Sequence, residues 1–158
     1  MLRSFGSMKR IASCALLAFS SLASSTVIAA QDAKSSDTSS LVYLYRYKQV
    51  YGMAIRPSIY CDDKEIARLQ NGRYLALVLK PGKHQFRSND KQSVIDLDMK
   101  AGQNYYFRLE LAPGVMKTHG RLTLMLPEQG ASEFKLLKPV DRKMVKDGTF
   151  LAPGYAPE

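Results

Sequence analysis

A chain of 158 residues has room for one domain of about 100 residues with a leader and a tail, and a second domain does not fit. The formal net charge is +9, of which Arg3, Lys9 and Arg10 of a predicted leader contribute three, leaving 9 − 3 = +6 on the remaining chain. This excess favours anionic lipid head groups, acidic glycans or acidic proteins as partners, whereas the lack of a dense Lys/Arg run disfavours nucleic acid.

Residues 1–30 have the layout of a secretory signal peptide. A basic start is followed by an apolar stretch from Ile11 to Phe19, a Ser-rich segment and the small-residue ending Ala29-Ala30. The apolar stretch is shorter than the roughly 20 residues that a membrane-spanning helix needs. We therefore predict export to the periplasm or cell envelope, with cleavage after Ala30 or one residue earlier.

Cys14 offers an alternative to simple cleavage. Ile11-Ala12-Ser13-Cys14 has the residue types of a lipoprotein processing site. A lipid-modified cysteine should follow the apolar region, however, and Cys14 lies near its start. Lipid anchoring at Cys14 is therefore disfavoured. Residues 31–40 are mostly Asp, Ser, Thr and Lys, which predicts a flexible spacer.

Alternating runs of apolar and polar residues predict a β-domain over residues 41–138. The first run, Leu41 to Tyr47, places Val42, Leu44 and Arg46 on one face and the tyrosines on the other. Later runs are separated by turn dipeptides such as Asn71-Gly72 and Pro81-Gly82. About eight short strands with turns at spacings of roughly 8 to 12 residues indicate an all-β fold, an antiparallel β-sandwich or barrel.

The end of the chain is less regular. Pro127 to Lys138 is compatible with a short helix that begins at the proline or with a last edge strand, and we favour the helix. Residues 139–158 carry mixed charges followed by Gly148, Pro153, Gly154 and Pro157. This composition predicts a loosely ordered tail.

Several phrases of the β-domain occur in a characteristic order. They are Tyr43-Leu44-Tyr45-Arg46, Arg56-Pro57-Ser58-Ile59-Tyr60, Lys64-Glu65-Ile66-Ala67-Arg68-Leu69, Asn71-Gly72-Arg73-Tyr74 and Pro81-Gly82-Lys83-His84. From Leu41 to Leu137 the chain resembles a bacterial family of exported, often lipoprotein-like, β-sandwich domains of unknown function. The resemblance implies export and supplies no catalytic residues. The family hairpin commonly has Asp-Gly-Lys where this chain has Asp62-Asp63-Lys64. Asp63 replaces the glycine and is therefore expected to take a positive φ.

Reactive side chains are few. The chain after the leader keeps one cysteine, Cys61, which alternation places in the core with Ile59. Cys61 and His84 are the thiol and imidazole from which a hydrolase would most readily be built, but the carboxylates next to Cys61 raise a thiol pKa. His84 alternates with the core residue Phe86, which favours a hydrogen-bonded structural role. We predict a protein without catalytic residues.

No cofactor or metal is predicted either. Cys61, Asp62 and Asp63 are candidate ligands, but adjacent side chains in a strand-to-turn segment are expected to diverge. His119 lies between Lys117 and Arg121, where a solvated loop is expected and anion binding is the alternative.

Tyrosines and basic residues concentrate near the start of the domain. Tyrosine combines an apolar ring with a polar tip, and arginine clamps anions. We predict a binding surface formed by Tyr45, Arg46, Lys48, Tyr51 and Arg56. The expected function is a non-catalytic exported module that binds an envelope protein or an anionic envelope component, with peripheral membrane contact allowed. The alternative is carbohydrate or peptidoglycan binding through surface tyrosines.

Overall fold

A computed structural model describes residues 38–90, 93–112 and 119–158 of the chain, without the side chains of residues 112 and 119. The predicted signal peptide, Cys14 and most of the predicted spacer lie outside these residues. Within the described ranges, no helix is both long and apolar enough to cross a membrane.

Nine strands form two sheets in the described part of the chain. The five-stranded sheet has the order β8-β7-β1-β4-β9, and the four-stranded sheet has the order β3-β2-β5-β6. The strands are β1 (Ser40–Tyr45), β2 (Ser58–Cys61), β3 (Lys64–Arg68), β4 (Arg73–Leu79), β5 (Gly82–Arg87), β6 (Val94–Met99), β7 (Asn104–Ala112), β8 (His119–Met125) and β9 (Lys138–Pro139). One α-helix, α1, spans Pro127–Phe134, and a single 3-10 turn spans Arg142–Met144.

The predicted all-β sandwich with a short C-terminal helix is confirmed. Most strand pairings are antiparallel, while β1–β7 and β4–β9 are parallel. The parallel pair of β1 and β7 arises because the chain crosses between the sheets: β5 and β6 lie in the four-stranded sheet before β7 returns beside β1. The central strand of the larger sheet is therefore β1, the predicted inner strand.

The core lies between the two sheets and follows the predicted alternation. Val42 and Leu44 of β1 point into it together with alternate leucines of β4. Ile59 and Cys61 point in from the opposite sheet, as predicted. The rings of Phe86 and Phe107 meet across the core with centroids 4.6 Å apart. Each large apolar side chain buried here contributes about 1.5 to 3 kcal/mol to folding.

Helix α1 covers the outer face of the five-stranded sheet. Phe134 of the helix stacks on Tyr43, and Tyr43 stacks on Tyr106. Gly130 permits this approach, because a Cβ at that position would lie 2.3 Å from the Cβ of Tyr106. The helical alternative for residues 127–138 is therefore correct over Pro127–Phe134, and β9 follows.

Residues 139–158 are not a loosely ordered tail, and that prediction is corrected. Val140 is fully buried. The backbone of the segment bonds to β4, from the Val78 amide to the Phe150 carbonyl (2.7 Å) and from the Ala152 amide to the Ala76 carbonyl (3.0 Å). The segment supplies hydrogen-bond partners to an edge of β4 that the two-residue β9 covers only in part.

Candidate functional site

The five residues of the predicted binding surface divide into a buried pair and an exposed group. Lys48, Tyr51 and Arg56 are exposed, as a surface requires. Tyr45 and Arg46 are fully buried, so their assignment to the surface is corrected. Tyr45 lies on the face that α1 covers and donates its hydroxyl hydrogen to Glu133 of the helix.

Arg46 continues the inward face of Val42 and Leu44 and places its guanidinium inside the end of the sandwich. Its Nη1 donates to the Ile55 carbonyl over 2.7 Å, and its Nη2 donates to the Gly52 carbonyl over 2.9 Å. In the described ranges no carboxylate pairs with it. Burial lowers the pKa of Arg46 from its ordinary value. The side chain therefore acts on the chain itself, tying together two points of the segment that follows β1.

Residues 48–56, which follow β1, form the apolar loop. Hydrogen bonds close to its first residue also hold its conformation. The Gln49 amide donates to Oδ1 of Asn71 over 2.9 Å, and Nδ2 of Asn71 donates back to the Gln49 carbonyl over 2.8 Å. Gly52 has a φ of 66°, and a Cβ there would lie 2.4 Å from Leu111. The loop conformation thus depends on Arg46, Asn71 and a glycine without a side chain.

Three apolar side chains project from the apolar loop into solvent. The exposed fractions are 88% for Val50, 52% for Tyr51 and 60% for Met53. Exposed Lys48 and Arg56 stand at the two ends of the loop. Sequence reasoning named Tyr51 but missed Val50 and Met53. A sequence signal for Val50 and Met53 was available. Both lie in a run of apolar residues around a glycine, in a connection between strands, and no alternating pattern there assigns these residues to the core.

A second cluster forms where the β2–β3 turn meets β5. His84 Nδ1 lies 2.7 Å from Oδ2 of Asp62, and the Cys61 thiol donates to the same oxygen over 3.7 Å. The expectation that these side chains diverge is wrong for Asp62. Both Asp62 and Asp63 have positive φ, 49° and 64°, and this tight turn directs the Asp62 carboxylate back over the strand end.

The turn sends its two carboxylates to different partners. Oδ1 of Asp63 lies 3.3 Å from Nη2 of Arg87, outside the cluster. The positive φ expected for Asp63 is confirmed, and Asp62 shares it. Burial raises the pKa of Asp62, but hydrogen bonds from the Gln85 amide and from His84 lower it by more, so the net pKa lies below its ordinary value.

The cluster is not arranged as a thiol nucleophile with its base. Burial, followed by the charge of Asp62, raises the pKa of Cys61 to about 12. The carboxylate accepts from both the thiol and the imidazole, so the charge nearest the sulfur is negative. His84 has the hydrogen-bonded setting that its position predicts, because its Nε2 lies 2.8 Å from the Lys80 carbonyl.

The predicted anion-binding alternative around His119 cannot be assembled from the described residues. The backbone of His119 begins β8, opposite Ala112, while Lys117 lies outside the described ranges. Arg121 is exposed on β8.

Comparison with known proteins gives one match. The model of a family described as "Protein of unknown function (DUF2846)" matches residues 36–121, which is more than half of the chain. The match includes the apolar loop and the Cys61 cluster but ends before α1. No curated protein and no solved structure matches the chain.

Proposed function

We propose a binding role for this chain, which belongs to the DUF2846 family of proteins of unknown function. In this proposal the protein is a non-catalytic module, exported to the periplasm or cell envelope. The apolar loop binds an envelope protein or another anionic component of the envelope. Export rests on the signal-peptide layout of residues 1–30.

The observation that carries the proposal is an apolar loop tip held in a fixed shape. Val50, Tyr51 and Met53 are each more than half exposed. Exposed apolar side chains are common singly, but here three lie within four residues on a loop anchored by a buried arginine. A loop that is already ordered loses less conformational entropy on binding, so more of its contact energy is available as affinity.

The charge around the tip supports an anionic partner. Lys48 and Arg56 are exposed at the ends of the apolar loop, and the net charge without the leader is 9 − 3 = +6. Such charges attract a negative surface at long range and weaken in salt, with a Debye length of about 8 Å at physiological ionic strength. The apolar tip would then contribute contacts that salt does not weaken.

The carbohydrate alternative has less support. Sugar binding by tyrosines requires ring faces open to solvent. Tyr45 is buried, and the ring of Tyr43 is stacked between Phe134 and Tyr106. Among the five residues of the predicted surface, Tyr51 alone offers an exposed ring, and a glycan site would depend on it.

Site-specific photo-crosslinking in the native host tests the proposal. A photo-crosslinking amino acid replaces Met53 in one variant and Leu126 in the other. Leu126 is a suitable control because it is 73% exposed but follows Met125, which pairs with Tyr106 of β7, and Tyr106 in turn pairs with Tyr43 in the middle of β1. The apolar loop begins after the last residue of β1, and its Gly52 lies against Leu111, five residues after Tyr106 along β7.

We expect an adduct at position 53 that is absent at position 126 and that decreases when Lys48 and Arg56 are both changed to Gln. An adduct with a protein or an anionic lipid supports the proposal and identifies the partner class. An adduct with glycan strands only supports the carbohydrate alternative. Equal adducts at the two positions, or none at position 53, would contradict a binding role for the loop.

A further inference from the structure

We propose that Cys61, Asp62 and His84 form a binding site for a divalent cation of the zinc type. The thiol sulfur, a carboxylate oxygen and an imidazole nitrogen of these residues all lie within 4.8 Å of one another. Sulfur, nitrogen and oxygen are the three donor types found in protein zinc sites. This site is separate from the apolar loop and does not depend on the binding function proposed above.

The groups behind these donors are arranged as in metal sites. The far nitrogen of His84, Nε2, lies 2.8 Å from the Lys80 carbonyl, which accepts its hydrogen, so that Nδ1 offers a lone pair to a metal once the proton that it shares with Asp62 has left. The far oxygen of Asp62, Oδ1, accepts the Gln85 amide over 2.9 Å, leaving Oδ2 on the side of Nδ1. Hydrogen bonds of this kind fix the tautomer and orientation of metal ligands.

Two of the three ligand separations require only small movements, and the sulfur and imidazole nitrogen lie within 4.8 Å of each other. Tetrahedral zinc with ordinary bond lengths places sulfur and oxygen ligands about 3.5 Å apart, and nitrogen and oxygen ligands about 3.3 Å apart. The Cys61 sulfur is 3.7 Å from Oδ2 of Asp62, which already fits. His84 Nδ1 is 2.7 Å from the same oxygen and must move away by about 0.6 Å to reach that spacing. Asp62 is half exposed at a turn, so its side chain has room to rotate.

Charge also favours a divalent ion. A thiolate, a carboxylate and a neutral imidazole carry two negative charges together, which a divalent cation balances. Binding forms bonds from the metal to Sγ, Oδ2 and Nδ1. The thiol proton and any proton held between Nδ1 and Oδ2 leave to solvent. The bound metal ion takes the place of the thiol proton, because a coordinated thiol is deprotonated.

A surface depression gives an ion access to two of the three ligands. The depression has a volume of about 520 Å³, and Asp62 and His84 line it. Asp96 and Asp98 of β6 and Lys83 of β5 also line it, so carboxylates outnumber lysines on its wall. A cation is therefore attracted to the mouth of the depression, and a water molecule there can complete a tetrahedral site beside three protein ligands.

Titration of the untagged full-length chain with Co²⁺ and Zn²⁺ tests the proposal. Co²⁺ reports its own ligands, because a Co²⁺–thiolate bond gives a charge-transfer absorption band. The matched variants are Asp62→Asn and Asp63→Asn: the two residues are adjacent and both have positive φ, which asparagine tolerates, but only Asp62 faces the cluster. Cys61→Ser removes the thiolate and leaves Cys14 in place.

We expect the parent chain and Asp63→Asn to show the thiolate band and to bind Zn²⁺ with affinities within about twofold of each other. Asp62→Asn should bind Zn²⁺ at least about 10- to 100-fold more weakly, the loss that follows even when only a hydrogen-bond partner of a ligand is changed. Cys61→Ser should lose the band. Thermal unfolding of each variant confirms that it is folded. The proposal is overturned if the parent shows no band, if the band survives in Cys61→Ser, or if Asp62→Asn binds as the parent does.

Discussion

Replacing Arg46 with methionine should destabilise the domain and release the apolar loop. Methionine approximates the length and apolar stem of arginine but removes the donors to the Ile55 and Gly52 carbonyls. A hydrogen bond from a charged group contributes about 1.5 to 3 kcal/mol, so the two bonds together amount to about 3 to 6 kcal/mol. The variant also avoids the cost of burying an uncompensated charge, which offsets part of this loss.

The expected net result is a decrease of about 2 to 4 kcal/mol in the free energy of unfolding. Urea unfolding measures this change. Hydrogen exchange should show faster exchange of the Ile55 amide, which bonds to the Gly52 carbonyl only while the loop keeps its turn. The stability of Arg46→Lys should fall between that of the parent chain and that of Arg46→Met. The lysine ammonium is a point charge and cannot donate to two separate carbonyls in the way that the planar guanidinium does.

Arg56→Met is the matched control, since Arg56 is the exposed arginine at the far end of the same loop. Its stability should stay within about 0.5 kcal/mol of the parent. If Arg46→Met is as stable as Arg56→Met, and the exchange of Ile55 is unchanged, then the buried arginine does not hold the loop. The argument for a preordered binding tip would then fail.

Two further predictions concern stability. Hydrogen bonds from Lys64 and Thr149 lower the pKa of Asp147 from its ordinary value. The pKa of Asp141 is also lowered, mainly by a hydrogen bond from the side-chain amide of Gln70. Because the folded state lowers these values, its stabilisation is complete above the ordinary carboxyl pKa of about 4 and is lost as pH falls below it. Urea midpoints should therefore decrease below about pH 4, and less steeply in Asp147→Asn; a midpoint independent of pH would refute this. Tyr155→Phe removes a hydroxyl that donates to the Tyr74 carbonyl over 2.8 Å and accepts the Val140 amide over 3.2 Å, so it should cost about 1 to 2 kcal/mol in urea unfolding. Unchanged stability in that variant would mean that the Tyr155 hydroxyl does not help to hold residues 139–158 against β4.

Alternation in the sequence predicted the strand faces well because it is a local property. Val42 and Leu44 face the core with Ile59 and Cys61, as period-two patterning requires. The same pattern already placed Arg46 on the inward face. Its assignment to a surface followed from residue type alone, and a charged residue that continues an apolar face is a signal for a buried, hydrogen-bonded role.

The candidate sites were predicted only in part, because their geometry depends on contacts between distant segments. Tyr45 is buried by Glu133 on a helix 88 residues later. His84 meets Asp62 because β5 pairs with β2, a register that neither strand encodes by itself. The direction of the Asp62 carboxylate depends on two successive positive φ angles at a turn where the family resemblance led us to expect one.

The sequence by itself determined the all-β class, the faces of the main strands and the burial of Cys61, since these follow from side-chain periodicity and turn chemistry over a few residues. Tertiary structure alone decided which strands became neighbours, which tyrosines were covered and how the last twenty residues packed along β4. The physical reason is that hydrogen-bond and packing partners far apart in the chain are selected by the whole fold. Arg46 illustrates the local and the tertiary contribution. Its position in the alternating pattern set the direction of its side chain, and the folded loop supplied two carbonyl acceptors that offset the cost of burying the guanidinium.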